Sequence, residues 1–227
     1  MSTKKTVLIL GAGASRSYGF PTAAELTDMI LGRLPPRFIS DHRFNKGVEP
    51  GPNWNDWILN ESSVLDPAFV RSFQQHFEAA DTFSIDRFLA FQPKHEAIAK
   101  PIIARILLLC EGKSTLRGGW YAQFWNDVIQ DAIKTESPPI DVITFNYDRS
   151  LEQYLQTVSA AAYADSNKAL AAVRIQHVYG SLGSLDGDGN VTEYGEVQRH
   201  KKASTGIKLI SPRAACNSTI RDTILSC

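Results

Sequence analysis

Four apolar residues, Val7-Leu8-Ile9-Leu10, run straight into Gly11-Ala12-Gly13-Ala14-Ser15, with Gly19 and Pro21 close behind. This stretch constrains the fold more than any other. A short apolar run that stops on glycine reads as a strand over 5–10, buried on both faces. Gly11 permits a tight turn, and Gly13 lets backbone N–H groups approach a pyrophosphate. The N-terminus of the next helix adds a positive dipole end. A strand, a glycine turn and a helix in that order predict an α/β chain, with either a phosphate-bearing ligand at the strand's carboxyl end or a plain strand-to-helix turn that binds none.

The rest of the chain alternates in the same way. Residues 22–34, "TAAELTDMILGRL", are apolar at helical spacing (Ala24, Leu26, Met29, Ile30, Leu34) and stop at Pro35-Pro36. Residues 37–60 are rich in glycine and proline, and 67–134 read as mostly helical, with Pro101 kinking or starting a helix. "IDVITFNYD" (140–148) is the second strong strand, followed by the helix "RSLEQYLQTV". "VRIQHVYGSLG" (173–183) is a third strand and "GIKLI" (206–210) a fourth. Strands separated by helical crossovers predict a Rossmann-like parallel sheet with helices on both faces. The segment at about 37–134 is then a helical layer inserted into a single domain spanning 1–227.

Composition narrows the function classes. The 227 residues are 43% apolar and 21% charged, with formal net charge zero. No basic stripe is present, so direct nucleic-acid binding is not expected. Cys110, Cys216 and Cys227 form no CxxC pair, so neither a zinc ribbon nor any other metal site is expected. The N-terminal apolar run is too short for a signal peptide and no stretch suits a membrane span, so the expectation is a soluble, cytoplasmic protein. "DGDGN" (186–190) lacks the Gly and Glu of a calcium loop and reads as a turn.

The glycine loop is not a dehydrogenase fingerprint, because Arg16 stands where a third glycine belongs. It is not a P-loop, because no Gly-Lys-Ser/Thr follows. In open parallel sheets, ligands sit outside the carboxyl ends of the strands. The second strand ends on Asn146, Tyr147 and Asp148. The third delivers His177, Tyr179, Gly180 and Ser181 to the same edge. Each has a plain structural reading: helix capping for Asn146 and Asp148, and a half-buried strand histidine for His177. Three strand ends meeting in one crevice favour a site. Asp86, in "SIDRFL", follows the N-cap Ser84 and is explained locally by the first turn of a helix.

Taken in order, "GAGAS…GFPTAAEL", "SIDRFL", "ITFNYDRSLE" and "HVYGSLG" resemble the blocks of the sirtuin-like family, across about residues 6–183. They are most similar to the bacterial branch associated with antiviral defence, whose members degrade NAD. The resemblance implies that Gly11, Ala12, Gly13, Ser15 and Pro21 surround the dinucleotide. It also implies that Asn146 and Asp148 flank the nicotinamide ribose, that Asp86 lies beside the site, and that a histidine before the third glycine turn is catalytic. The four-cysteine zinc module of protein deacylases is absent, and Phe145 replaces their glutamine. Both departures suit the NAD-degrading branch. Tyr179 occupies the usual histidine position and His177 stands two residues earlier, on the same face if the strand continues. The chain also ends, at "TIRDTILSC", short of the family pattern, as a truncated or shortened variant would.

The chemistry suits these groups. Nicotinamide leaves NAD+ as a neutral molecule, so no general acid is needed, and the transition state is oxocarbenium-like. Asn146 would hold a ribose hydroxyl or the attacking water, and His177 would accept the water's proton. Asp148 would stabilise positive charge or bind the carboxamide edge. Tyr179, Gly180 and Ser181 would line the dinucleotide. The expectation is an NAD+ glycohydrolase acting in bacterial anti-phage defence, with NAD+ as substrate, a defence-system partner protein and a possible homo-oligomer. The alternative is a non-catalytic NAD or ADP-ribose binding module that regulates a partner.

Overall fold

The structure, a computed structural model, describes residues 6–31, 33, 67–82, 84–185, 193–196 and 200–208. Pro35-Pro36, the loop-rich stretch 37–60, the turn 186–190 and the tail after Lys208 lie outside the described residues.

The chain is a mixed α/β, Rossmann-like fold around a three-stranded parallel sheet. Strands β1 (Val7–Leu10), β2 (Ile140–Thr144) and β3 (Val173–His177) lie in the order β1-β2-β3. The register pairs Leu10 with Thr144 and Thr144 with His177. All three strands therefore end on one row, and the loops after them open side by side. β2 is central, and Ile140, Asp141, Val142 and Thr144 are all buried. β1 departs from the expectation of burial on both faces: Leu10 is buried but Ile9 is 67% exposed. The physical reason is position. Among the described residues β1 is hydrogen-bonded to β2 alone, and a run of four apolar residues looks the same in an edge strand as in a central one.

Helices α1 (Gly13–Arg16) and α2 (Ala23–Ile30) follow β1. A capping box starts α2: the Thr22 hydroxyl accepts from the Glu25 backbone N–H, and Glu25 accepts from the Thr22 N–H. The helical layer contains α3 (Pro67–Ala79), α4 (Ile85–Phe91) and α5 (Glu96–Lys113). α5 is apolar nearly all round. Ala99, Ile102, Ile103, Ala104, Ile106, Leu107, Leu108 and Cys110 are buried, which makes it the spine of the core. Pro101 lies inside α5. α6 (Gly119–Phe124) runs through a π-helical turn at Trp125–Ile129 into α7 (Gln130–Lys134). α8 (Ser150–Ala162) and the short α9 (Lys168–Ala171) link β2 to β3, and α10 (His200–Ser204) packs on α5.

The "GIKLI" segment does not extend the sheet as a fourth strand over its described residues. Ile207 forms a single antiparallel bridge with Gly180, and Lys208 donates its N–H to the Tyr179 carbonyl at 2.7 Å. Gly180, at φ +71°, allows this: a Cβ there would lie 1.9 Å from the Gly206 carbonyl oxygen. β3 likewise stops at His177, where the backbone turns and the Gly180 N–H bonds back to the His177 carbonyl. Among the described residues no helix is long and apolar enough to cross a membrane.

Candidate functional site

A cavity of about 280 Å³ lies at the carboxyl ends of β1 and β2. Its walls come from four places: Ala12 in the glycine loop, Pro21 to Ala23 with Leu26 at the start of α2, Ser84 to Asp86 at the start of α4, and Phe145 to Asp148 after β2. Leu107 and Tyr179 complete it. Of the residues expected at a site, Ala12, Pro21, Asn146, Asp148 and Tyr179 line this cavity. Gly11, Gly13, Ser15, His177, Gly180 and Ser181 are not in its lining.

The glycine loop is held from behind. The Trp120 indole N–H donates to the Ala14 carbonyl at 2.8 Å. Tyr18 stacks on Tyr121 with ring centroids 4.0 Å apart, and its hydroxyl donates to the Gly118 carbonyl. Gly19, at φ +97°, ends the turn after α1. Gly11 and Gly13 are different. Neither has a positive φ, and a Cβ on either would meet no protein atom within 4 Å. Their lack of a side chain therefore answers no need of the backbone turn, contrary to the role expected for Gly11. It leaves open space beside the loop.

Ser15 is buried beneath the loop and joins β1 to β2. Its hydroxyl donates to Asp148 Oδ1 at 3.1 Å and accepts from Asn146 Nδ2 at 3.1 Å. Asp148 Oδ1 also accepts from the Ser150 N–H at 3.2 Å and from the Ser150 hydroxyl, which lies 2.6 Å from the Tyr121 hydroxyl. Burial raises the Asp148 carboxyl's pKa, while the Ser150 and Ser15 bonds act to lower it. The N-cap of α8 is Arg149, so Asp148 is not the cap; it accepts the Ser150 N–H from one position further out. Asn146 does not cap a helix. Its side chain is held through Nδ2, and Oδ1 is buried without a partner. The residue is only 8% exposed and sits in the cavity wall. A buried amide oxygen left unbonded is costly in a folded protein.

His177 does not reach the cavity. Its Nδ1 lies 2.7 Å from the Asn146 carbonyl oxygen and its Nε2 lies 2.6 Å from Glu152 Oε1. A carbonyl only accepts, so Nδ1 carries a proton, and the carboxylate favours a second proton on Nε2. Burial alone would lower this histidine's pKa. The hydrogen bond and charge of Glu152, with the Asn146 carbonyl, outweigh it and raise the pKa. Both ring nitrogens are thus engaged outside the cavity, an arrangement that does not favour the general-base role expected for His177. The cause is the turn at Val178. The two-residue strand period that would have carried 177 and 179 to one face ends there, and Tyr179 alone faces the cavity.

Gly180 and Ser181 also lie outside this cavity's lining. Gly180 serves the close approach of Gly206. The Ser181 hydroxyl bonds the Gly183 carbonyl at 3.2 Å and lines a different hollow beside Glu152 and Arg149.

One further group belongs to the cavity and another stands behind it. Asp86 lines the cavity, and its Oδ1 accepts the hydroxyl of Tyr147, which also lines it. Burial raises the Asp86 carboxyl's pKa and the Tyr147 bond partly offsets this. Glu111 and Arg149 form a buried ion pair, with Arg149 Nη2 2.6 Å and Nε 3.1 Å from the carboxylate. The pair ties α5 to the residue just before α8, beside Asp148. Among the described residues no group of His, Cys, Asp and Glu is placed to hold a metal ion.

Comparison of the chain with protein-family models, with curated proteins and with solved structures finds no match to any of them.

Proposed function

We propose that the protein hydrolyses NAD+ at the bond between nicotinamide and ribose, giving nicotinamide and ADP-ribose. One observation carries the reading: the buried, unpartnered Asn146 Oδ1 in the wall of a cavity at the strand ends. That oxygen accepts a hydrogen bond from a ribose hydroxyl or from the attacking water. The cavity is at the small end of ligand pockets, which run roughly 300–1,000 Å³. It therefore houses one end of a dinucleotide. The pyrophosphate follows the open flank of Gly11 and Gly13.

The glycosidic bond breaks with its electron pair passing to the pyridinium nitrogen, so nicotinamide departs neutral. Water adds to the ribosyl cation and one proton is released to solvent. The chain's own part is to orient the ribose through Asn146, to shield the centre with Phe145, Tyr147 and Tyr179, and to place carboxylate charge near the developing cation. None of these steps needs a strong base. A role in anti-phage defence, with a partner protein, rests on the sirtuin-like resemblance.

A second reading is favoured by one fact: the imidazole that would serve as base is locked away from the cavity. On that reading the protein binds NAD+ or ADP-ribose without cleaving it and regulates a partner. Incubating the protein with NAD+ and following nicotinamide release, with and without an acyl-peptide, separates the two. Release without peptide is the expected result. Binding without release supports the module, and release only with peptide supports an acyl-transfer reaction.

A further inference from the structure

The cavity holds two carboxylates, and they are not equivalent. Asp148 Oδ1 is already engaged by Ser15 and by both the N–H and the hydroxyl of Ser150. Among the described residues, Asp86 accepts from one side chain, the Tyr147 hydroxyl, and from its own backbone N–H. Among the described residues, no lysine, arginine or histidine lines the cavity. A phosphate there would meet like charge with no counter-ion. A cation would meet an anionic group already fixed in place by a tyrosine, and would also relieve the burial that disfavours the charged carboxylate.

We propose that Asp86, oriented by Tyr147, is the residue through which this cavity selects a positively charged ring. It is a charge-recognising contact for the pyridinium of an oxidised nicotinamide, against the neutral ring of the reduced or released form. The inference deepens the NAD+ reading by assigning the substrate's charge to one side chain. Asp148 becomes a buttress that holds Ser15 and the start of α8. Asn146 Oδ1, buried and unpartnered in the same cavity, supplies the independent mark of a ligand site. In chemical terms, the carboxylate recognises the ground-state cation. As the glycosidic bond breaks, the positive charge moves from ring to ribose within reach of the same side chain. A product that has lost its charge is then held less tightly and leaves.

The test uses two probes that carry no glycosidic bond, 1-methylnicotinamide (a cation) and nicotinamide (neutral), titrated by ligand-observed NMR. Wild type should prefer the cation by at least about tenfold, as expected for a partly buried charge contact. Asp86→Asn keeps the shape and the hydrogen bond to Tyr147, so its preference should fall to near unity with little change in melting temperature. A wild type that does not distinguish the probes overturns the inference, and so does an Asp86→Asn variant that keeps the preference. The wild-type comparison stands even if the variant unfolds. Nicotinamide release from NAD+, assayed alongside, reads the proposed function separately. Release with no charge preference sinks the inference alone. Charge preference with neither release nor NAD+ binding sinks the NAD+ reading alone.

Discussion

Behind Asn146, toward α8, the polar side chains are bonded to one another: Ser15 with Asp148, Asp148 with Ser150, His177 with Glu152, Arg149 with Glu111. In front of it, toward the cavity and among the described residues, Asn146 Oδ1 has no partner, Asp86 is bonded by Tyr147 and its own backbone N–H, and the flanks of Gly11 and Gly13 are open. The same few residues of the β2 loop face both ways. The contrast separates two tasks that a residue list merges. The rear network fixes geometry, and the front is where the proposed ligand would bond. Substitutions behind should therefore act on stability, and substitutions in front on binding and turnover.

The largest effect is expected at the rear. Glu111→Ala removes the carboxylate that neutralises the buried Arg149 guanidinium, and breaking such a buried pair typically costs about 3–5 kcal/mol. Chemical denaturation should show that loss, and a change under about 1 kcal/mol would mean the pair does not anchor the loop. Next, Asn146→Ala should lower NAD+ turnover at least about a hundredfold, while stability falls by about 1 kcal/mol for the lost bond to Ser15. Turnover near wild type would remove Asn146 from the site. Gly13→Val tests the front, because a Cβ there has open space within 4 Å beyond its own stretch of chain. Its melting temperature should hold while NAD+ affinity drops about tenfold or more, and calorimetry reads both halves of that statement.

The smallest effect sharpens the boundary. The His177 pKa is raised in the folded state, so its contribution to stability is complete below the ordinary histidine value of about 6.5. That contribution is lost as pH rises through the raised value. His177→Gln should therefore trail wild type by about 1 kcal/mol in the acid range, and the gap should close toward alkaline pH. A gap that widens with pH would place a neutral, working base at this position.

These contrasts explain what could be read from residues alone. The parallel α/β fold was legible because its strands and helices carry clear periodicity: β2, α2 and α8 begin close to where pattern and caps put them. The convergence of Ala12, Pro21, Asn146, Asp148 and Tyr179 was legible because strand ends of a parallel sheet share one edge. His177 was misplaced because a period of two was carried through Val178, where the chain turns. Asp86 was set aside because a helix first turn explains an acid by itself; only the fold brings Tyr147 to it, from 61 residues away. The Glu111–Arg149 pair left no local trace, since a charge on a helix ordinarily reads as solvent-facing. Gly180 looked like a ligand glycine, yet its partner is another stretch of backbone. Its positive φ and the proximity of Gly206 are tertiary facts.

The span of the contacts around Asn146 has a consequence for how the site comes into being. His177 and Asn146 are 31 residues apart, whereas Ser15 and Asp148 are 133 apart. Closing the longer loop costs about 1 kcal/mol more in chain entropy, and contacts of such separation form slowly. On the ribosome, β1 and the glycine loop emerge first but have no strand to pair with until β2 has been made. The helical layer is synthesised in that interval. The Ser15 contact thus waits for residue 148 to be made and the His177 contact waits longer still, so the network behind Asn146 closes only when β3 is in place.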